Sequence, residues 1–149
     1  MSDSFPITAG VWQGGVLSPD FYCLYVDDLL VKLRKSGIGC YYLHYFAAAL
    51  FYADNMAIMA PSVKGLITLL KICGDYCAEF DICLNAAKSQ LMYFGKSTLI
   101  SCTVELNGVT IDWSSECKYL GIILKGGKKF GCSILDRVKK FYRCLNAIL

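Results

Sequence analysis

Histidine is almost absent from the sequence, with His44 the only one among 149 residues. There is no Cys-x-x-Cys pair either, so the common zinc frameworks of paired cysteines and histidines are excluded. Only 18% of the side chains are charged, against 56% hydrophobic and 13% aromatic, which excludes intrinsic disorder. A bilayer span is missing too: the longest unbroken apolar run, residues 45–53, is about half the length a membrane helix needs. Residues 1–6 carry Asp3 and two serines instead of a basic and then apolar lead, so no secretory signal is read there. The nine cysteines, an odd number, are therefore expected as reduced thiols of an intracellular protein, nuclear or cytoplasmic. Cys73 and Cys77, one helical turn apart, are expected as buried small hydrophobes. Proline is scarce at three residues, and no repeat or low-complexity tract divides the chain.

What is present is apolar surface. The mean hydropathy is +0.46, and a body of this size hides only about two-thirds of the surface its unfolded chain exposes. Some apolar faces are therefore expected to lie against a neighbour outside this chain, as in a fragment of a larger protein. The net charge of +3 permits a phosphate-rich partner without requiring one. Its distribution is uneven, since residues 118–143 hold eight Lys and Arg against the single acid Asp136. A solvated face is the ordinary meaning of such a run.

Ser18 as N-cap, Pro19 at the first helical position and Asp20 in the first turn predict a helix start. Phe21, Leu24, Tyr25, Leu29 and Leu33 continue at helical spacing until Gly37. Residues 40–43 and 49–60 are then rich in apolar side chains around the polar pair Asp54-Asn55, which predicts a β-hairpin. From the cap Ser62, the spacing of Leu66, Leu69, Leu70, Cys73, Tyr76, Cys77 and Phe80 predicts a second helix. Short strands are expected over 91–94, 102–106, 109–111 and 119–124, with Asn107-Gly108 as a hairpin turn. Residues 132–149 read as a basic amphipathic helix. Two helices covering one face of a mainly antiparallel sheet make the expected class α+β.

Two segments could carry chemistry. A hairpin tip at Asp54 would project a carboxylate rigidly, as a divalent-metal site for phosphoryl or nucleotidyl transfer requires, although turn chemistry alone also selects Asp-Asn. In residues 13–19, Gln13 can donate and accept, Gly14 and Gly15 allow close backbone approach, and the following helix start favours phosphate. A plain loop before a capped helix is the alternative.

The order of the pieces is more specific than any one of them. Q-G-G-x-L-S-P from Gln13, Y-x-D-x from Tyr52, L-N-A-A-K-S from Leu84 and Y-L-G-I from Tyr119 together resemble the later palm motifs of reverse transcriptases of non-LTR retrotransposons. The resemblance runs from about Gly10 to Leu124. It implies a partial polymerase palm, residues 1–98, followed over 99–149 by primer-grip-like hairpins and the start of a thumb helix. It assigns Gln13, Gly14 and Gly15 to the template and incoming nucleotide, Tyr52 to the nucleotide and primer end, and Lys88 to the nucleotide phosphates. Asp54 becomes the metal ligand, with Asn55 beside it, and Tyr119, Leu120, Gly121 and Ile122 correspond to the hairpin that grips the primer backbone. The implied cofactor is Mg²⁺ or Mn²⁺, and the implied partners are an RNA template, a DNA primer, deoxynucleotides and the fingers and thumb of a parent protein.

Two departures count against catalysis by this chain. Asn55 stands where the family pattern has aspartate, and an amide is a weaker ligand than a carboxylate for a hard cation. The strand that brings the second metal-binding aspartate lies upstream of the Q-G loop in the family, and Asp3 is too close to that loop to replace it. Tight binding of the metal by this chain is not expected, and whether it is an enzyme stays open. Tyr25-Val26-Asp27-Asp28 spells Y-x-D-D literally, but falls in mid-helix, where Asp28 and Lys32 are expected to pair at i and i+4. The readings carried forward are an inactive reverse transcriptase fragment, a non-catalytic nucleic-acid-binding remnant, and a small intracellular protein-interaction domain.

Overall fold

The structure is a computed structural model that describes residues 14–96 and 102–148. The chain forms two compact units, Met1–Ile82 and Cys83–Leu149. The division drawn above at 98/99 follows motifs, whereas this one follows packing.

In the first unit, helix α1 runs Ser18–Lys35 and helix α2 Val63–Glu79. Leu17 occupies the N-cap of α1 with no side-chain cap, so Ser18 and Pro19 sit inside the helix. The Ser18 amide already donates to the Gly15 carbonyl at 3.2 Å, and this turn starts the helix one residue ahead of the expected cap. At the other end Gly37 takes φ +67 and stops the helix as expected. Ser62 caps α2, its hydroxyl accepting from the Gly65 amide at 3.1 Å.

The two helices bury Val26, Leu29 and Leu33 on one side and Leu69, Cys73, Tyr76 and Cys77 on the other. A polar clasp closes the seam. The Tyr76 hydroxyl donates to the Tyr25 carbonyl at 2.6 Å, and the Tyr25 hydroxyl donates to the Phe80 carbonyl at 2.7 Å. The Phe80 ring stacks on Tyr76 at 4.4 Å and meets Tyr25 edge-on at 5.3 Å. Lys32 does not pair with Asp28: its ammonium reaches across to Glu79 at 2.8 Å, because the carboxylate at the end of α2 lies beside it. That ion pair is about half exposed, so solvent screens it and it adds little to stability.

Between the helices the chain makes two hairpins where the pattern predicts one. Strands β1 (Tyr41–Tyr42) and β2 (Tyr45–Phe46) pair around Leu43 and His44, and β3 (Ala49–Tyr52) pairs antiparallel with β4 (Asn55–Ile58). Gly39 has φ +124, and a Cβ there would overlap the fully buried Ala48, so the chain can enter these hairpins only through glycine.

The second unit holds a short 3₁₀ turn, Ala86–Lys88, strands β5 (Val104–Leu106), β6 (Val109–Ile111), β7 (Glu116–Tyr119), β8 (Ile122–Lys125) and β9 (Gly131–Ser133), and helix α3 (Leu135–Ile148). Asn107-Gly108 forms the expected turn, with φ +52 and +75. Residues 119–124 are not one strand. Leu120 and Gly121 take φ +48 and +80, a turn that sends β8 back along β7. Residues 91–94 form isolated bridges from Leu91 to Trp113 and from Phe94 to Gly127 instead of a strand. Residues 132–133 belong to β9, so α3 starts at Leu135.

The class is mixed helix and antiparallel strand, as expected, but the single sheet with helices on one face is not found. Among the described residues there are three two-stranded sheets and one three-stranded sheet, because almost every strand pairs with its immediate neighbour in the chain. No residue of α3 is buried. Much apolar side-chain surface is open, including Leu24 at 71% and Phe141 at 64% exposure.

Two outcomes are expected. Tyr76→Phe keeps the ring stack but removes the hydroxyl clasp, and should lower the unfolding free energy by about 1 kcal/mol in urea denaturation, with an unchanged m-value. Burial pushes the Cys73 thiol up to about 12, from an ordinary value of 9.0. The folded state therefore holds its proton where the unfolded chain releases it, and this group's effect on stability is nil below about pH 9 and grows unfavourable from there to 12. Timed alkylation at neutral pH, read by mass spectrometry, should label exposed Cys23, Cys83 and Cys144 first and Cys73 last.

Candidate functional site

The best-defined candidate is the tip of the β3–β4 hairpin. Tyr52 and Asn55 are directly opposed across the ladder, so the turn residues are Ala53 and Asp54, one position earlier than the Asp54-Asn55 turn read from the sequence. The reason is local. Ala53 adopts φ +49, which lets Asn55 extend as the first residue of β4. Asp54 is exposed, and the Asn55 side-chain amide donates to its Oδ1 at 3.1 Å. Tyr52 flanks the tip with 64% of its surface exposed.

Tyr22 of α1 belongs to the same neighbourhood, and the sequence reading missed it. Burial holds its phenol above the ordinary value, and the negative charge of Asp54 adds to the rise. Helical spacing alone could not have singled it out, since Phe21 and Leu24 carry the apolar pattern on either side of it.

Gln13 lies outside the described residues. Of its neighbours, Gly14 is exposed with φ +82, and Gly15 is half-buried with its carbonyl bonded to the Ser18 amide at the start of α1. Asp27 and Asp28 lie within α1 and are both exposed, as expected. Consecutive helical residues diverge by about 100°, so the literal Y-x-D-D does not form a tip.

The remaining candidates are carried by the second unit. Lys88 ends the 3₁₀ turn, its amide held by Asn85 Oδ1 at 3.1 Å, and its side chain is exposed. Tyr119 ends β7, and Leu120 and Gly121 make the turn. Arg137 of α3 is a further missed residue: its guanidinium donates to the Leu120 carbonyl and lies where a Cβ on Gly121 would be. Gly121 is thus needed both for its φ and for this contact.

A hard divalent cation requires several oxygen ligands, and a pair of ions requires carboxylates from more than one strand. Asp54 offers one carboxylate, already hydrogen-bonded to an amide that is itself the weaker ligand. Among the described residues no group of three or more His, Cys, Asp or Glu converges on a common point. The described residues do not fit a two-ion site. Among the described residues, too, no helix is long and apolar enough to cross a membrane.

Residues 2–124 match the family described as "Reverse transcriptase (RNA-dependent DNA polymerase)". The chain is 30% identical over 150 residues to a probable RNA-directed DNA polymerase from transposon BS of Drosophila melanogaster, with 91% of this chain and 15% of that protein covered. It is 27% identical over 124 residues to the RNA-directed DNA polymerase from mobile element jockey of Drosophila funebris, covering 79% of this chain and 13% of that protein. A putative 115 kDa protein in the type-1 retrotransposable element R1DM of Drosophila melanogaster is also 27% identical, over 84% of this chain and 12% of its own length. The chain thus spans 12% to 15% of these relatives. No solved structure gives a significant match. The matched span takes in the glycine loop, the Asp54 hairpin, Lys88 and the Leu120-Gly121 turn, and with these similarities the chain belongs to the reverse transcriptase family, as a partial domain of the non-LTR retrotransposon kind.

Proposed function

We propose that the chain is part of the palm of a retroelement reverse transcriptase, with the start of the thumb at α3, and that it does not polymerise by itself. The parent protein copies RNA into DNA from deoxynucleotides using Mg²⁺ or Mn²⁺. In this reading Gln13, Gly14 and Gly15 face template and nucleotide, Tyr52 flanks the primer end, Asp54 is the metal ligand beside Asn55, Lys88 meets nucleotide phosphates, and Tyr119, Leu120 and Gly121 hold the primer backbone. The observation that carries it is the β3–β4 tip, a tight turn with Asp54 on it and Tyr52 opposite Asn55, in a chain of this family. The open apolar side chains of α1 and α3 support a chain that packs against further parts of a parent protein, its fingers and thumb. The basic face of α3 favours, as a second reading, a remnant that binds nucleic acid without catalysis.

The inactivity follows from ligand count. Losing a carboxylate from a two-ion site removes charge stabilisation at both the attacking and the leaving oxygen, a deficit of several kcal/mol and several powers of ten in rate. Asn55→Asp restores one ligand, but both carboxylates would then come from the same hairpin tip, whereas two ions need carboxylates from more than one strand. Primer extension on an RNA template with Mg²⁺ or Mn²⁺ should therefore be undetectable for this chain and for Asn55→Asp. Extension should appear when Asn55→Asp is fused to the upstream segment of an intact related element, and extension by the unmodified chain would refute the reading.

Asp54 is still the best single cation contact, as an exposed carboxylate at a tip. In a Mn²⁺ titration followed by NMR relaxation, amide signals near Asp54 should broaden before those near Asp28. The reverse order would move the candidate site to α1.

A further inference from the structure

Helices α1 and α3 each leave an apolar stripe open, and the two stripes carry opposite charge. At the start of α1, Leu17, Phe21, Leu24 and Val31 recur at helical spacing and are all exposed. They fall on the side opposite Val26, Leu29 and Leu33, the residues buried against α2. Asp20, Asp27 and Asp28 lie along the same stripe, exposed and without an ion pair among the described residues. The sequence holds no Lys or Arg before Lys32, so nothing within α1 offsets them ahead of its last turn.

On α3, Leu135, Val138, Tyr142 and Leu145 follow at steps of three, four and three, the spacing of a helix-pairing seam, and all are exposed. Lys139 and Arg143 run along one border of this seam and have no ion pair among the described residues. Asp136 is the one acid in the helix. With 18 and 14 residues, α1 and α3 are about 27 and 21 Å long, so the stripes are of similar length.

We infer that α3 of one copy packs on α1 of another, so that the chain associates with itself through this helix pair. Apolar burial supplies the affinity, and the opposite charges select the pairing. Packing α1 on α1 would bring aspartates together, and packing α3 on α3 would set cations against cations, so like charges oppose both alternatives. The mixed pair satisfies both stripes. Within a single chain both stay exposed, and a second copy always carries the matching one. The inference goes beyond the polymerase reading and needs neither Asp54 nor a bound metal or nucleic acid. Under the proposed function, further parts of a parent protein take the place of the second copy.

The test is sedimentation velocity of the whole chain in EDTA after nuclease treatment, so that a failure of the polymerase reading does not touch the result. The unmodified chain should pass from monomer to larger species between about 1 and 100 μM. Leu24→Asp on α1 and Leu145→Asp on α3 should each raise the dissociation constant at least about tenfold. The decisive pair reverses charge on one stripe at a time. Neither the variant Asp27→Lys with Asp28→Lys nor the variant Lys139→Glu with Arg143→Glu should associate with itself, whereas an equimolar mixture of the two should associate. Circular dichroism should be unchanged throughout, since all these positions are exposed. A monomeric unmodified chain, association that disappears on nuclease treatment, charge-reversed variants that still associate alone, or a mixture that stays monomeric would overturn the inference.

Discussion

The first unit depends on the packing of Tyr76 between α1 and α2. Its ring is buried while its hydroxyl donates to the Tyr25 carbonyl. A buried phenol without a partner would cost free energy, so the two helices are held at the spacing that satisfies it. Leu29, Leu33, Leu69 and Cys73 fill the seam at that spacing. The returning bond from the Tyr25 hydroxyl to the Phe80 carbonyl fixes the end of α2 as well. The β3–β4 hairpin is joined to this frame through Ala48, which is fully buried and whose carbonyl accepts from the Met59 amide at 2.7 Å. Asp54 is therefore presented by a short, stiff hairpin rooted beside a packed helix pair, while being itself exposed.

The second unit is organised differently. It has few buried side chains, chiefly Leu91, Val104, Leu106 and Ile111, and its order comes from tight turns. Asn107-Gly108 and Leu120-Gly121 both take left-handed conformations that match the twist of the strands they join. Arg137 lies over the second of these turns, so helix α3 is linked to the β7–β8 hairpin by a guanidinium while its apolar residues stay open. A helix that contributes one polar contact and no buried residue gains little from this unit alone.

What could be read from the sequence was what short-range chemistry decides. Ser62 and Gly37 marked helix ends because a cap hydroxyl and a left-handed glycine act within one turn of chain. Asn107-Gly108 was legible for the same reason. Leu120-Gly121 was not, since leucine at a positive φ is paid for by the pairing of β7 with β8, which no local pattern records. The Asp54 turn was misplaced by one residue because Ala53 takes a conformation that its type gives no reason to expect. The expected single sheet failed for a related cause: alternation of apolar residues identifies strands but not their partners, and here nearly all partners are the nearest ones. Of the candidate residues, the tip carboxylate was legible, whereas Tyr22 in the first unit and Arg137 in the second depend on contacts between elements of their own unit.

The two Y-x-D segments show why spacing has to be read with its structural context. Tyr25-Val26-Asp27-Asp28 matches the literal letters better, yet caps and apolar periodicity place it on a helix, where successive carboxylates point about 100° apart. Tyr52-Ala53-Asp54-Asn55 matches less well, yet it forms a two-residue turn in which Tyr52 and Asn55 face each other and Asp54 stands at the end. Convergence of ligands on an ion depends on direction, which is why the poorer match is the one proposed as the site. The same geometry makes the Asn55 substitution matter. A carboxylate at that position would sit beside Asp54 at the same tip, whereas the amide there donates to Asp54 and takes up part of its acceptor capacity. Under the proposed function, an amide in place of a carboxylate at position 55 thus turns a would-be second ligand into a group that competes for Asp54.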